Sequence, residues 1–337
     1  MSILRTLVRD VQFLFPLTDH GQERFRWFVL TLQAILVPVT ASRTSNLLRT
    51  IATLFGVEIA QARYYTFMAS VKLPWEAFWE TLWRAIPSPL VEGRLLLALD
   101  DSINPKTGRH IFACQRTFDH AAKTNQTRWP WAQTIVTLGL LRPIHGRWCC
   151  LPLAFSLYLR RDQLRAGCVR VQGKAVRFAD KLTQATGLIE RVARCFPSKT
   201  PLLVICDSWF GNNGLFKPLR EGLDARVHLL SRLRVNAALY ALPTPAPGKA
   251  GRPRKYGARL GNAADLAERS VEQIVEYYSA RWKIEAGFRE IKQEIGSADT
   301  QTRNPDAVNN HLHFCMAATT ITWIYAAHLK QAPIRRY

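Results

Sequence analysis

A chain of 337 residues is long enough for a full catalytic domain and a smaller companion, because domains commonly run about 100–200 residues. A hydrophobic fraction of 48% allows a buried core and excludes global disorder. With 46 Lys and Arg against 25 Asp and Glu, the net charge of +21 and pI near 10.2 favour capture of a polyanion, nucleic acid first and an anionic membrane surface second.

The N-terminus mixes Arg5, Arg9 and Asp10 with apolar residues and shows no small-residue cleavage site, so a secretory leader is not expected. The most apolar run, Trp27 to Thr40, is interrupted by Thr31, Gln33 and Pro38. It falls short of the ~20 apolar residues of a membrane span and reads as a core helix, so no membrane partner is expected. Thr44 or Ser45 can cap a helix running to Gly56, and Ala60 to Ser70 forms another. Pro74 then opens an amphipathic run, Trp75 to Ile86, with Trp75, Phe78, Trp79, Leu82, Trp83 and Ile86 at three-and-four spacing. Those aromatics read as core rather than as a nucleic-acid platform. Short paired helices of this kind can still present a recognition helix to DNA.

The pattern changes at Arg94. Leu95 to Leu99 is a continuous apolar run, as expected of a strand buried on both faces. Two further strands, Thr134 to Leu141 and Trp148 to Leu159, flank the turn Pro143-Ile144-His145-Gly146 and make a hairpin. A long helix over Gly173 to Phe196 is expected next, then a strand from Pro201 to Cys206, a helix from Asn213 to Glu221 and a strand from Arg226 to Arg232. Three antiparallel strands, helix, strand, helix, strand is the order of an α/β (α+β) protein with an RNase H-like mixed sheet flanked by helices, here preceded by a helical N-terminal domain. Leu242 to Gly261, rich in Pro, Gly and basic residues, fits no regular element. A last long helix opens on the capping-box pair Ser270 and Gln273 and ends near Gly296, and Asn304 to Tyr337 forms one more. The divisions expected are therefore 1–90 for a helical DNA-binding region, 91–300 for the sheet domain and 301–337 for a helical tail. Seven scattered cysteines, with Cys149 and Cys150 adjacent, suit a reduced cytoplasm and neither a disulfide framework nor a zinc site.

Acidic residues fall at telling places on these elements. Asp100 and Asp101 follow the first buried strand, and Asp207 follows the fourth in Leu203-Val204-Ile205-Cys206-Asp207-Ser208. A carboxylate there is costly unless something pairs with it, and a divalent metal is the natural partner. In an RNase H-like sheet these two strands lie side by side, which brings their ends together. Taken singly, each acid reads first as a structural turn residue; the pair, in that topological relation, tips the reading toward a site.

A third acid, Glu285, lies on the last long helix. Counted from Tyr278, Arg281 is three residues on, Glu285 seven and Lys292 fourteen. At about 100° per residue all four fall within roughly 60° on the helix surface. Glu285 can then complete a metal site, while Arg281 and Lys292 sit where a phosphate backbone would lie. A solvated charged face is the competing reading, and it leaves the aligned Tyr278 unexplained.

The spacing Tyr278, Arg281, Glu285, Lys292 resembles the signature of a large group of bacterial insertion-sequence transposases of the DDE type. Asp100-Asp101-Ser102, with Lys106 and Gly108 after it, resembles that group's first-aspartate motif, and Asp207-Ser208-Trp209-Phe210 its second. The likeness runs from about Leu95 to Gly296. It implies a catalytic triad of Asp100, Asp207 and Glu285, with Asp100 preferred because Ser102 sits two residues on, and Asp101 left as an alternative. It further implies Mg²⁺ or Mn²⁺ as cofactor, element ends and target DNA as partners, and a homodimer in a synaptic complex in the bacterial cytoplasm, on the nucleoid. Two ions held by three carboxylates can activate water or a 3′-hydroxyl and stabilise the leaving oxygen.

The sequence departs from that group in one region. Only 78 positions separate Asp207 from Glu285, and Val235 to Arg269 shows almost no strand pattern and no Trp. The β-rich insertion that grips element ends in many members is therefore expected to be shortened, which puts a hairpin route and full activity in doubt. Within it, Gly251-Arg252-Pro253-Arg254-Lys255 resembles segments that lie in narrow A·T minor grooves, where Arg252, Arg254 and Lys255 would contact DNA. A generic basic loop is the competing reading. Two rivals to an active transposase stay open: a DNA-binding remnant without catalysis, and a stand-alone RNase H-fold nuclease.

Overall fold

The computed structural model describes residues 2–37, 39–120, 122–164, 169–233, 237–241, 243, 256–262 and 272–329. Five helices come first: α1 (Ser2–Gln12), α2 (Asp19–Leu36), α3 (Thr44–Phe55), α4 (Gln61–Met68) and α5 (Trp75–Ala85). The Thr18 hydroxyl caps α2 by accepting from the Gly21 N–H at 3.2 Å. Thr44 is the first residue of α3 rather than its cap; Arg43 holds the cap position without a side-chain bond, and Gly56 ends the helix at φ 63°. The aromatic stripe of α5 is buried, as its periodicity requires.

The sheet is built from β1 (Leu95–Pro105), β2 (Cys114–Arg116), β3 (Trp131–Ile144), β4 (Arg147–Tyr158), β7 (Leu202–Cys206) and β8 (Val227–Ser231). Between β4 and β7 come α6 (Arg161–Leu164), the small β5–β6 hairpin (Arg170–Val171 with Lys174–Ala175) and α7 (Lys181–Arg194). Helix α8 (Asn213–Leu223) links β7 to β8. Strand order is β2-β3-β1-β7-β8, with β4 also paired to β3. Antiparallel β3 and parallel β7 flank β1, so the sheet is mixed and RNase H-like, as the element order predicts. The β3–β4 turn is tighter than expected. His145 and Gly146, at φ 48° and 73°, form a two-residue connection of the kind that matches sheet twist.

The two faces of β1 are covered differently. Leu95, Leu97 and Leu99 join the large core with Ala185, Ile189 and Val192 of α7, while Leu96 and Ala98 face Tyr277, Ala280, Ile284 and Phe288. Full burial of each such leucine contributes about 1.5–3 kcal/mol. That explains why the run is apolar without alternation.

Several expected elements differ. The helix expected over Gly173 to Phe196 begins only at Lys181, because Gln172 and Gly173 form the β5–β6 turn and Asp180 caps the helix through the Thr183 N–H. The segment read as strandless holds a small two-stranded sheet, β9 (Ala238–Tyr240) with β10 (Arg259–Asn262). The helix expected from Ser270 to Gly296 is divided into α9 (Glu272–Ala280), α10 (Trp282–Arg289) and a π turn, Glu290–Glu294. Gly296, at φ 84°, ends it where expected; Ser270 and 251–255 lie outside the described residues. The final helix, α11, spans Pro305–His328. It packs on α2, α4, α5 and β4, with Phe314 5.0 Å from the Phe28 ring and 4.8 Å from that of Trp75. Asn310 accepts from Trp75 Nε1 at 2.6 Å and donates to the Met68 and Ser70 carbonyls, fixing α11 to the first helices. Among the described residues no helix is long and apolar enough to cross a membrane.

Candidate active site

Strand β1 continues to Pro105, so Asp100 and Asp101 lie inside it rather than after it. Alternation then sends them to opposite faces. Asp100 shares the parity of Leu96 and Ala98 and faces α9 and α10, while Asp101 shares that of Leu97 and Leu99 and faces α7. Their contacts agree: Asp101 pairs with Lys181 of α7 at 2.8 Å, and Asp100 pairs with Arg281 at 3.1 Å. The β1–β7 pairing ends at Leu99↔Cys206, so Asp100, within β1, and Asp207, the residue just past the end of β7, come one step beyond the last pair of the ladder.

Asp207 is held by its own turn. Its Oδ1 accepts from the Trp209 and Phe210 N–H groups at 3.1 and 3.0 Å, and its carbonyl accepts from the Gly211 N–H and the Ser231 hydroxyl. Gly211 has to be glycine, because a Cβ there would lie 2.0 Å from Ser231 Oγ.

Arg281 stands between α9 and α10 and links two of the acids. One terminal nitrogen donates to Asp100 and the other to Glu285 at 3.3 Å, with the Arg281 side chain 6% exposed. Its Nε–H has no protein partner, and its guanidinium lies 5.5 Å from the Tyr278 ring and 5.0 Å from that of Trp282. Arg281 is thus an internal tie and does not lie open as a phosphate contact. Burial pushes the Asp100 carboxyl up to about 7; Arg281 and the Asp101 N–H pull it down, and the charges of Asp207 and Asp101 push it up.

Lys292 is also drawn inward, bonded to the Ser102 hydroxyl on β1. Burial holds its ammonium below the ordinary lysine value, with Asp119 acting in the opposite direction. The expected single face from Tyr278 to Lys292 assumed constant α-helical winding, and the π turn changes that winding before Lys292.

Lys106, marked in the sequence only as part of a motif, is a clasp. It is 7% exposed and donates to the carbonyls of Ser297, Ala298 and Thr300 at 3.2, 2.7 and 3.1 Å, while Asn104 also donates to Ser297. The end of β1 is thereby tied to the segment following the π turn. Nothing in local composition marks a lysine as buried.

The donor set is all oxygen, which suits a hard divalent cation. The mutual repulsion recorded at Asp100 is what such a cation would relieve. Among the described residues, however, no three His, Cys, Asp or Glu side chains come together as a preformed metal cluster, and Glu285 is engaged with Arg281. The expected close grouping of all three carboxylates is to that extent corrected.

A mixed RNase H-like sheet with acids on neighbouring central strands and a third on a covering helix defines a nuclease-type fold. The chain belongs to the DDE superfamily endonucleases, whose family model matches residues 15–289. Membership carries DNA as the substrate class and divalent metal as the general cofactor class. Among curated proteins nothing matches.

Proposed function

We propose that the chain is an insertion-sequence transposase that cuts DNA at the element's ends and joins the freed 3′-hydroxyl to target DNA. The observation carrying this reading is the placing of Asp100 and Asp207 one step beyond the last β1–β7 pair, with Arg281 connecting Asp100 to Glu285. Asp100, Asp207 and Glu285 would hold Mg²⁺ or Mn²⁺, which when bound supplies activation of a nucleophilic oxygen and stabilisation of the leaving one. Lys292 holds Ser102 and with it the strand bearing Asp100, and Tyr278 flanks Arg281.

The region up to residue 90 is assigned to DNA binding. Helix α4 buries Tyr64, Phe67 and Met68 and exposes Gln61, Arg63, Tyr65 and Thr66, residue types that read base edges and phosphates. Cleavage and joining would proceed in a homodimer holding both element ends, on the nucleoid. The rival reading, a remnant that binds DNA without cutting, draws on the lack of a preformed three-carboxylate cluster among the described residues.

Nicking of a supercoiled plasmid carrying the sequences that flank the gene separates the two. Mg²⁺ or Mn²⁺ should support nicking and Ca²⁺ should not, and Glu285→Gln should abolish it while DNA affinity holds. Cleavage that survives a chelator, or survives Glu285→Gln, would refute the mechanism. Binding without any cleavage would establish the remnant.

A further inference from the structure

The connection from β4 to α7 carries a concentrated positive charge. Among its described residues Arg160, Arg161, Arg170, Lys174, Arg177 and Lys181 stand against two acids, Asp162 and Asp180. Both acids are already engaged, Asp162 with the Gln163 N–H and Asp180 as the cap of α7. Lys181 pairs with Asp101. No ion pair among the described residues uses the other five cations, and all five are exposed.

A basic loop is ordinarily a solvated one, but this one is fastened along its length. Gln163 accepts from the Arg160 N–H and donates to the Cys114 carbonyl of β2 at 2.9 Å, which fixes α6. At the β5–β6 turn the Gln172 N–H donates to Asp306 at 2.5 Å and its side-chain amide to Asn310 at 2.7 Å, both in the first turns of α11. The Val176 N–H donates to the Val169 carbonyl at 2.8 Å, which extends the pairing beyond Arg170↔Ala175 and Val171↔Lys174. Arg161 lies 4.5 Å from the Phe178 ring and so draws the two ends of the connection together. Strand alternation then sorts the side chains. Val169, Val171 and Val176 share one face and are half-buried, whereas Arg170 lies on the other face and is exposed. Its guanidinium is steadied by the Gly173 carbonyl at 2.7 Å.

A guanidinium is planar, always charged and matched to a pair of phosphate oxygens. Arginines set on a fixed frame meet most of the ordering cost in folding rather than at binding. The frame also joins two regions. At one end Lys181 holds Asp101, the neighbour of Asp100. At the other, the same Asn310 that receives Gln172 is bonded to Trp75, Met68 and Ser70 of the N-terminal helices and their loop.

We propose that the β4–α7 connection is a phosphate rail, which holds the backbone of duplex DNA irrespective of sequence between the N-terminal helices and the acidic centre. This rests on reading the chain as an enzyme that acts on DNA, and it adds where the duplex is held and by which residues.

The test is salt-dependent binding read by fluorescence anisotropy, with the full chain in chelator so that no cutting intervenes, on two duplexes of equal length and unrelated sequence. Arg161→Ala, Arg170→Ala and Arg177→Ala should each flatten the slope of log affinity against log salt by about 0.9, and the triple variant by about 2.7, equally on both duplexes. Arg170→Lys keeps a counterion-releasing charge and should keep the slope. Lys217→Ala, which removes an exposed lysine of α8 paired with Glu221, should leave it unmoved. Urea midpoints near that of the wild type would show that the variants are folded, since exposed charges add little to stability. Unchanged slopes in the triple variant, or losses on one duplex only, would overturn the rail. So would anionic phospholipid vesicles that release the triple variant while both duplexes retain it, because the partner would then be a membrane surface. Slope losses in a protein that never nicks would sink the transposase reading and leave the rail standing; nicking with unmoved slopes would sink the rail alone.

Discussion

Replacing Arg281 tests how the centre is held together before any DNA arrives. In Arg281→Met a long apolar side chain keeps the stem packing but leaves Asp100, 15% exposed, without its cation. Removing one partner of a buried pair costs about 3–5 kcal/mol, because the remaining charge is buried alone. The Glu285 arm adds little. With that side chain 41% exposed, its share is about 0–1 kcal/mol. Arg281→Met should therefore lose about 3 kcal/mol in urea unfolding at pH 8, above the value near 7 to which burial has pushed Asp100. Adding Asp100→Asn removes the stranded charge, so the double variant should be more stable than the sum of the two single losses by about 2 kcal/mol. Arg281→Lys keeps the charge but not the fork, and should fall between wild type and Arg281→Met. If Arg281 served only as an exposed phosphate contact, the free protein would be indifferent to its loss. Additivity within about 0.5 kcal/mol refutes the tie.

Two further perturbations probe the frame around the centre. Lys106→Met strips an ammonium from three carbonyls and should cost about 2–4 kcal/mol, with faster amide exchange across 296–301; unchanged exchange there would show that the clasp holds nothing. Burial lowers His311 and His313 to about 3, the first beside Lys106 and the second stacked 4.6 Å from Trp75 while accepting from Trp79 Nε1. Because the unfolded chain binds their protons near pH 6.5 and the folded one does not, stability is full above that value and falls as pH drops toward 3. The loss at pH 5 should be about 2 kcal/mol per histidine; protonation of Asp100, raised to about 7, returns about 2.5 kcal/mol over the same window, so the urea midpoint should still fall below that at pH 7.5, and a midpoint that rises would contradict it.

What the sequence makes legible is whatever repeats with the period of an element. The apolar run at Leu95, the hairpin at His145-Gly146 and the strand before Asp207 each depend on neighbours in the chain, and the RNase H-like order follows from them. Local readings fail where a tertiary contact outweighs local pattern. Gly173 looks like the start of a helix because the residues after it are permissive, yet a tight β5–β6 turn delays that start to Lys181. The π turn at Glu290 cannot be anticipated from a count at 100° per residue. The inward turn of Arg281, Lys292 and Lys106 was equally hidden, because a basic residue is ordinarily solvated and only its partners on β1 or beyond Gly296 reveal otherwise. The outward turn of Trp209 and Trp282 is the converse case.

The choice between Asp100 and Asp101 shows how a one-residue ambiguity becomes a physical question. Both are carboxylates on one strand, and the motif spacing only prefers the first. The sheet separates them by a face. Asp100 lies toward α10 with Asp207 beyond it, and Asp101 lies toward α7 against Lys181, each side chain of that pair 24% exposed. A pair of this kind, still in contact with solvent on both sides, contributes about 1 kcal/mol. Asp101→Asn should therefore lower stability slightly, free the Lys181 ammonium toward Trp209, and leave metal-dependent nicking near the wild-type rate. Asp100→Asn should abolish nicking at every metal concentration, and should stabilise the free protein in the Arg281→Met background. The two variants need the same assays side by side: plasmid nicking with Mg²⁺, and urea unfolding. Loss of nicking in Asp101→Asn with activity retained in Asp100→Asn would reverse the assignment, and would require β1 to shift by one residue so that its alternation is inverted. Such a shift would also move Leu96 and Ala98 from the α10 face to the α7 face. Arg281 would then bond Asp101 in place of Asp100, so a stability cycle between Arg281 and Asp101 is the check on that outcome.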